Sequence, residues 1–117
     1  MKRFVIEFGT GIDLHGGNPT KAAARAIDDA IHRCCLCGLQ EIVGICDFTN
    51  IETVVKIGCP HSEQLDHEVL KQHLPFGDVV LICTEGGLAT EGAHDGVSNR
   101  DEEIIVAVAS LTVYINN

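Results

Sequence analysis

Apolar and polar positions follow two rhythms along this chain, and the changes of rhythm mark its elements. Residues 3–8, Arg-Phe-Val-Ile-Glu-Phe, are a short apolar run with one charged intruder, Glu7, and read as a buried strand. Residues 9–18 carry Gly9, Gly11, Gly16 and Gly17 around Asp13-Leu14-His15 and read as a loop. A helix follows: Asn18 is a capping residue, Pro19 suits the first helical position, and Ala22, Ala23 and Ala24 favour helix. Ala23, Ala26, Ile27, Ala30, Ile31 and Cys34 recur at helical spacing, so an alanine-rich face approaches a sheet closely, and Gly38 is the natural stop.

The second half repeats this alternation. Residues 41–46 predict a short strand, broken at 47–50, and residues 53–57 a further strand closed by Gly58-Cys59-Pro60. Ser62 is placed to cap a second helix that carries Leu65, Val69 and Leu70 and stops before Pro75. After a turn at 76–78, residues 79–83 are continuously apolar, as in a strand covered on both faces. Residues 84–103 are polar and Gly-rich and predict a long hairpin or a mobile loop. Residues 104–115 form a long final strand in which Ala107, Ala109 and Leu111 suit a tightly packed region.

These elements predict an α+β fold: a two-layer sandwich with one mixed sheet and two helices on one face, residues 1–117 forming a single domain. The opposite sheet face has no cover within the chain. Strands apolar on both faces therefore point to a homo-oligomer in which sheets pack on symmetry mates. A weak internal repeat relates Val5-Ile6-Glu7-Phe8-Gly9 to Val54-Val55-Lys56-Ile57-Gly58. In that register Glu7 and Lys56 sit at one level of the sheet. A buried charge needs a partner, so the two are expected to pair.

Charge narrows the classes of partner. Seventeen Asp and Glu against eight Lys and Arg give a formal charge of −9, which speaks against nucleic acid and anionic membranes. No apolar run approaches the length needed to span a bilayer. Met1-Lys2-Arg3-Phe4 begins like a signal peptide, but Glu7 and the glycines interrupt it, so a cytoplasmic protein with reduced thiols is expected. Of the six cysteines, Cys46, Cys59 and Cys83 lie in or beside apolar runs. Cys34 and Cys37 have a Cys-x-x-Cys spacing, with only Cys59 and His61 available as a second pair. Core packing is the preferred reading for these thiols over metal or redox chemistry, and no metal or cofactor is expected.

The segment from Gly9 to Lys21 is the best functional candidate. Gly9 and Gly11 between strand and helix let backbone approach a ligand, and the helix start at Thr20 offers free N–H groups for an anion. Lys21 and Arg25, four apart, are candidate anchors for it; the alternative is a simple turn with both side chains solvated. Asp13-x-His15 offers a carboxylate and an imidazole for acid/base work, or a turn-binding Asp and a solvated His. A desolvated Lys56 is a candidate base or nucleophile, unless Glu7 holds it charged and inert. Glu85, before Gly86-Gly87, is placed to reach the same mouth. Asp13 and His15 are alternatively two metal ligands, a site that His94-Asp95 of the long loop would complete as a weaker reading, and His32, His67 and His73 are expected on solvated helix faces.

Phe8-Gly9-Thr10-Gly11-Ile12-Asp13-Leu14-His15-Gly16, with Thr20-Lys21-Ala22-Ala23 and Arg25-Ala26 after it, resembles a family of small conserved bacterial and archaeal proteins of unknown function. Val55-Lys56-Ile57-Gly58-Cys59-Pro60, Leu74-Pro75-Phe76-Gly77 and Glu85-Gly86-Gly87-Leu88 look like that family's later motifs, so the resemblance spans nearly the whole chain. The family is similar in architecture to trimeric α+β proteins typified by Bacillus chorismate mutase and the reactive-enamine deaminases. The ring-opening amidohydrolases look like three such units in one chain. The resemblance implies a chorismate mutase-like fold, a trimer and a cleft between units, but no reaction. The amidohydrolases' Ser and Lys pairs are not matched: Lys56 is the one candidate, and Ser62 and Ser110 are distant in sequence.

Together these readings favour a small-molecule enzyme of hydrolase or proton-transfer type with a site between subunits. Its catalytic groups would be Lys56, Glu7, Asp13 and His15. Gly9, Gly11, Thr20, Lys21, Arg25 and Glu85 would bind a small polar or anionic molecule. The alternatives are a non-catalytic sensor using the same pocket, or a structural oligomer with no cleft.

Overall fold

A computed structural model describes residues 1–74, 77–94 and 101–116. Its elements are β1 (Lys2–Asp13), α1 (Pro19–His32), α2 (Cys37–Glu41), β2 (Ile51–Gly58), a 3-10 turn (Ser62–Gln64), α3 (His67–Lys71), β3 (Asp78–Thr84), β4 (Leu88–His94) and β5 (Asp101–Ile115). The sheet runs β1-β5-β2-β3, with β4 also pairing β5. β5 is antiparallel to β1, β2 and β4, while β2 and β3 are parallel, so the sheet is mixed. One β5 edge is shared. Gly58 of β2 stands opposite Val108, and Leu88 of β4 takes over opposite Val106. The α+β two-layer reading holds, with α1 lying across β1 and β5.

Alternation decides which side chains face α1. On β1, Glu7, Gly9, Gly11 and Asp13 are buried while Ile6, Phe8, Thr10 and Ile12 are exposed. The glycines therefore belong to the strand, not to a loop after residue 8. They make room for α1: a Cβ on Gly9 would lie 2.2 Å from the Ala26 carbonyl oxygen, and one on Gly11 2.1 Å from that of Ala22. Ala22, Ala23, Ala26 and Ala30 supply the matching small face, and Ile27 fills the centre. Val55, Ile57, Ile105, Ala107 and Leu111 complete this core from the sheet. Each large aliphatic side chain so buried contributes about 1.5–3 kcal/mol.

The middle of the chain differs from expectation. α1 ends at His32, six residues before Gly38, and Gly38 itself lies inside α2. Residues 41–46, expected as a strand, instead finish α2 and run on without regular structure. Their apolar content is used differently: Leu39 is buried, and Leu36 and Ile45 pack with it on Ile51, Val113 and Ile115 in a second small core. The fifth strand is β4, which realises the hairpin alternative for residues 84–103; residues 95–100 lie outside the described residues. α3 is capped by Asp66, whose carboxylate accepts from the Glu68 and Val69 amides, rather than by Ser62.

The expected Glu7–Lys56 pair does not form. β5 lies between their strands, and its register aligns Glu7 with Leu111 and Val55, but Lys56 with Ser110 and Phe8. Glu7 thus faces the helix layer and Lys56 the open face. The repeat alignment was one residue out of step with the real pairing, and a one-residue slip reverses the face. Cysteine burial is also split. Cys59 is buried and Cys83 half-buried, but Cys34, Cys35, Cys37 and Cys46 are exposed because α1 stops before them. No helix among the described residues is long and apolar enough to cross a membrane.

Candidate functional site

Between the helix side of the sheet and the irregular chain after α1 lies a cavity of about 670 Å3. Its floor is the sheet, through Glu7 on β1, Leu111 and Val113 on β5, and Thr53 on β2. Its wall is the segment after α1, which contributes Cys34, Cys35, Cys37 and Cys46, Gln40 and Glu41, and apolar side chains. The size falls within the range of small-ligand pockets, and the composition is the usual mixture of apolar surface with a few placed polar groups.

Two of those polar groups are unsatisfied. Glu7 Oε1 and Thr53 Oγ1 are buried and have no hydrogen-bond partner. Glu7 is 9 % and Thr53 4 % exposed. Buried polar atoms are normally paired, because leaving one unmatched costs about 1–3 kcal/mol. Here both orphans line the same cavity. Burial raises the Glu7 pKa above the usual carboxylate value, and a hydrogen bond with Cys34 opposes that rise. The same contact, with desolvation, raises the Cys34 thiol, so Cys34 is no activated thiolate. Among the described residues no group of His, Cys, Asp and Glu is arranged to hold a metal ion.

Of the four acid/base candidates, only Glu7 reaches this cavity. Asp13 is buried at the end of β1, where its Oδ2 accepts the Asn18 amide at 2.8 Å and its Oδ1 lies 3.6 Å from the Arg25 guanidinium. His15 points outward, with Nδ1 2.6 Å from Glu102 Oε2. The two therefore do not converge, because the strand continues to Asp13 and the chain turns after it. Lys56 is exposed on the opposite face of the sheet. Gly9 and Gly11 approach a helix rather than a ligand.

Three of the expected anchors do come together. Thr20, Lys21 and Arg25 line a second depression of about 570 Å3 with Asp28, Asp66 and His73. Most of its polar groups are already matched. Thr20 Oγ1 accepts the Asp66 amide at 3.1 Å, His73 Nδ1 lies 2.9 Å from Asp28, and Arg25 donates to the Ile12 carbonyl at 2.5 Å. The helix start is likewise capped from within, Asn18 Oδ1 accepting the Lys21 amide at 3.2 Å. The Lys21 ammonium keeps its donors, but the Asp28 and Asp66 carboxylates in the same lining oppose an anion.

Glu85 serves the protein's own backbone. Its Oε1 accepts from the Ser62 amide at 2.6 Å and hydroxyl at 2.7 Å, and these bonds hold its pKa below the usual value. The adjacent glycines carry a close backbone crossing: a Cβ on Gly87 would lie 2.1 Å from the Val106 carbonyl oxygen. His61 Nε2 meets Glu103 at 2.7 Å, which raises the imidazole pKa. Cys59, buried beneath α1, has its thiol pushed up to about 11 by burial and is inert.

Sequence reasoning missed Thr53 and the cysteine-bearing wall. Thr53 had a readable signal: Ile51, Thr53, Val55 and Ile57 alternate, so the threonine stands on the buried side of its strand.

Comparison with known proteins places the chain without assigning it a reaction. A family of conserved hypothetical proteins, Lin0512, matches over residues 3–113. A crystal structure described as an FtsZ-like protein of unknown function, from Nostoc punctiforme, is similar at a TM-score of 0.86 and 37% identity. The match covers 99% of this chain and 97% of that one. No curated protein matches.

Proposed function

The chain belongs to the Lin0512 family of conserved hypothetical proteins, and on that footing we propose that it is a small-molecule-binding protein whose ligand occupies the cavity over Glu7 and Thr53. The observation that carries the reading is that the two unsatisfied buried polar atoms line one cavity. A ligand group that hydrogen-bonds to each would remove both penalties on binding. The two residues stand on strands two apart, roughly 10 Å across the sheet. That separation favours a compact molecule with an apolar middle, over Leu111 and Val113, and polar groups at both ends. The unpartnered Glu7 oxygen accepts a hydrogen bond, and a carboxyl donates one when protonated, so a carboxamide, which offers both a donor and an acceptor, suits that end.

A proton-transfer enzyme is the second reading. It is favoured by the same buried carboxyl, since a carboxyl with a raised pKa is suited to general acid/base work. It is the lesser one because Asp13, His15 and Lys56 stand elsewhere, and the titratable groups that share the cavity with Glu7 are thiols and the exposed Glu41.

The test is a thermal-shift screen of small carboxamides, carboxylic acids and alcohols. Compounds that stabilise the native protein are expected to lose that effect in Glu7→Leu and Thr53→Val, and to keep it in Lys21→Ala. A ligand at about a hundred times its Kd adds about 2.7 kcal/mol, which such an assay resolves. Stabilisation unchanged in both cavity variants, or no stabilising compound at all, contradicts the reading.

A further inference from the structure

We infer that the open face of the sheet docks a second copy of this chain, about a twofold axis that lies in the interface and runs along the strands between β5 and β2. The face is apolar beyond what a monomer normally displays: Ile6, Phe8, Ile12, Val80, Ile82 and Val108 are each between 41% and 64% exposed. Its layout is self-complementary. The registers set four strands into rows, Arg3–Tyr114–Glu52–Asp78, then Ile6–Thr112–Val54–Val80, then Phe8–Ser110–Lys56–Ile82.

The proposed axis exchanges the two halves of each row. β1 of one copy then lies over β3 of the other, running the same way, and β5 over β2. Ile6 meets Val80, Phe8 meets Ile82, and Arg3 meets Asp78 across the interface. This arrangement is isologous, as a twofold contact must be. Arg3 and Asp78 make no ion pair within the chain among the described residues, and they stand at opposite edges of the four strands, about 14 Å apart. A second copy brings each over its opposite.

The area suits a weak, reversible dimer. Four strands about 4.8 Å apart, covered over the seven residues of β3 at about 3.3 Å each, present roughly 450 Å2 per copy, or roughly 900 Å2 in all. That lies below the standard size of stable complexes, where transient contacts are found. Two charged residues inside the face oppose docking: Glu52, which comes opposite the partner's Tyr114, and Lys56, which has only the partner's Ser110 hydroxyl opposite it. Desolvating that amine weakens the contact, so an apolar side chain of similar length there should strengthen it.

The experiment is sedimentation equilibrium on the full chain, with circular dichroism as the control for folding. The native protein is expected to dimerise. Arg3→Asp and Asp78→Arg are each expected to weaken the dimer about tenfold or more, by placing like charges together. The double variant restores it, and Phe8→Asp abolishes it while the monomer stays folded. Lys56→Met tightens it. A monomer, a trimer, a dimer indifferent to Phe8→Asp, or a double variant no better than the singles overturns the inference.

Discussion

Substitution of Gly11 by alanine separates the two roles open to the glycines of β1. If they admit a ligand, an added methyl removes binding and leaves stability nearly unchanged. If they admit α1, the methyl strikes the helix backbone. The added Cβ would lie 2.1 Å from the Ala22 carbonyl oxygen and 2.3 Å from the Ala26 nitrogen, where at least 3.0 Å is needed. α1 must therefore lift by about 1 Å, since main-chain atoms cannot turn aside. A gap of that size forfeits roughly a quarter to a half of each contact's attraction along the helix face. Ala22, Ala23, Ala26, Ile27 and Ala30, all fully buried, share that loss. Overpacking in a rigid core costs about 1–3 kcal/mol, and a backbone clash belongs at the upper end or beyond, so about 3 kcal/mol is expected. Urea unfolding followed by circular dichroism reads it as a midpoint lower by about 1–3 M at unchanged slope. A loss under about 1 kcal/mol, or the gain of about 0.4–1 kcal/mol that glycine-to-alanine gives without a clash, would refute the reasoning.

Further consequences concern the buried acids. The folded-state pKa of Glu7 is raised above 4.5, so the folded form holds its proton longer than the unfolded form. Stability at this residue is then intact below pH 4.5 and falls as pH rises through the folded value. Glu7→Gln should accordingly melt higher than the native protein at pH 7 and no higher at pH 4; equal melting differences at both would contradict the shift. Asp13 is 3% exposed and binds the Asn18 amide and Arg25. Asp13→Ala should destabilise by about 1–3 kcal/mol while preserving any ligand-induced stabilisation, and loss of that stabilisation in a folded variant would return Asp13 to the site.

The sequence carried the fold further than the site. Apolar runs identified β2, β3 and β5, and the Asn18-Pro19 cap with its alanine run located the start of α1 to the residue. The glycines of β1 misled because their composition is that of a turn; only the facing alanines, 11 and more residues on, make them strand residues. The apolar pattern of residues 41–46 suggested a strand, yet it covers the sheet as a wall, which periodicity over so short a run does not distinguish. Glu7 was singled out correctly as a buried charge, but its partner was misjudged because strand order was unknown. The cavity itself is invisible in sequence, since it is made by an irregular segment lying over Thr53, distant in both chain and rhythm.

The central claim is that Glu7 and Thr53 face a ligand site. Its most direct measurement is an NMR titration of the Glu7 carboxyl carbon and the Thr53 methyl, free and with the best compound from the screen. The account predicts a Glu7 titration above 4.5 when free, and ligand shifts centred on these two residues, Leu111 and Val113. A normal Glu7 titration, with ligand shifts centred on Thr20, Lys21 and Arg25 or on the open sheet face, would contradict it.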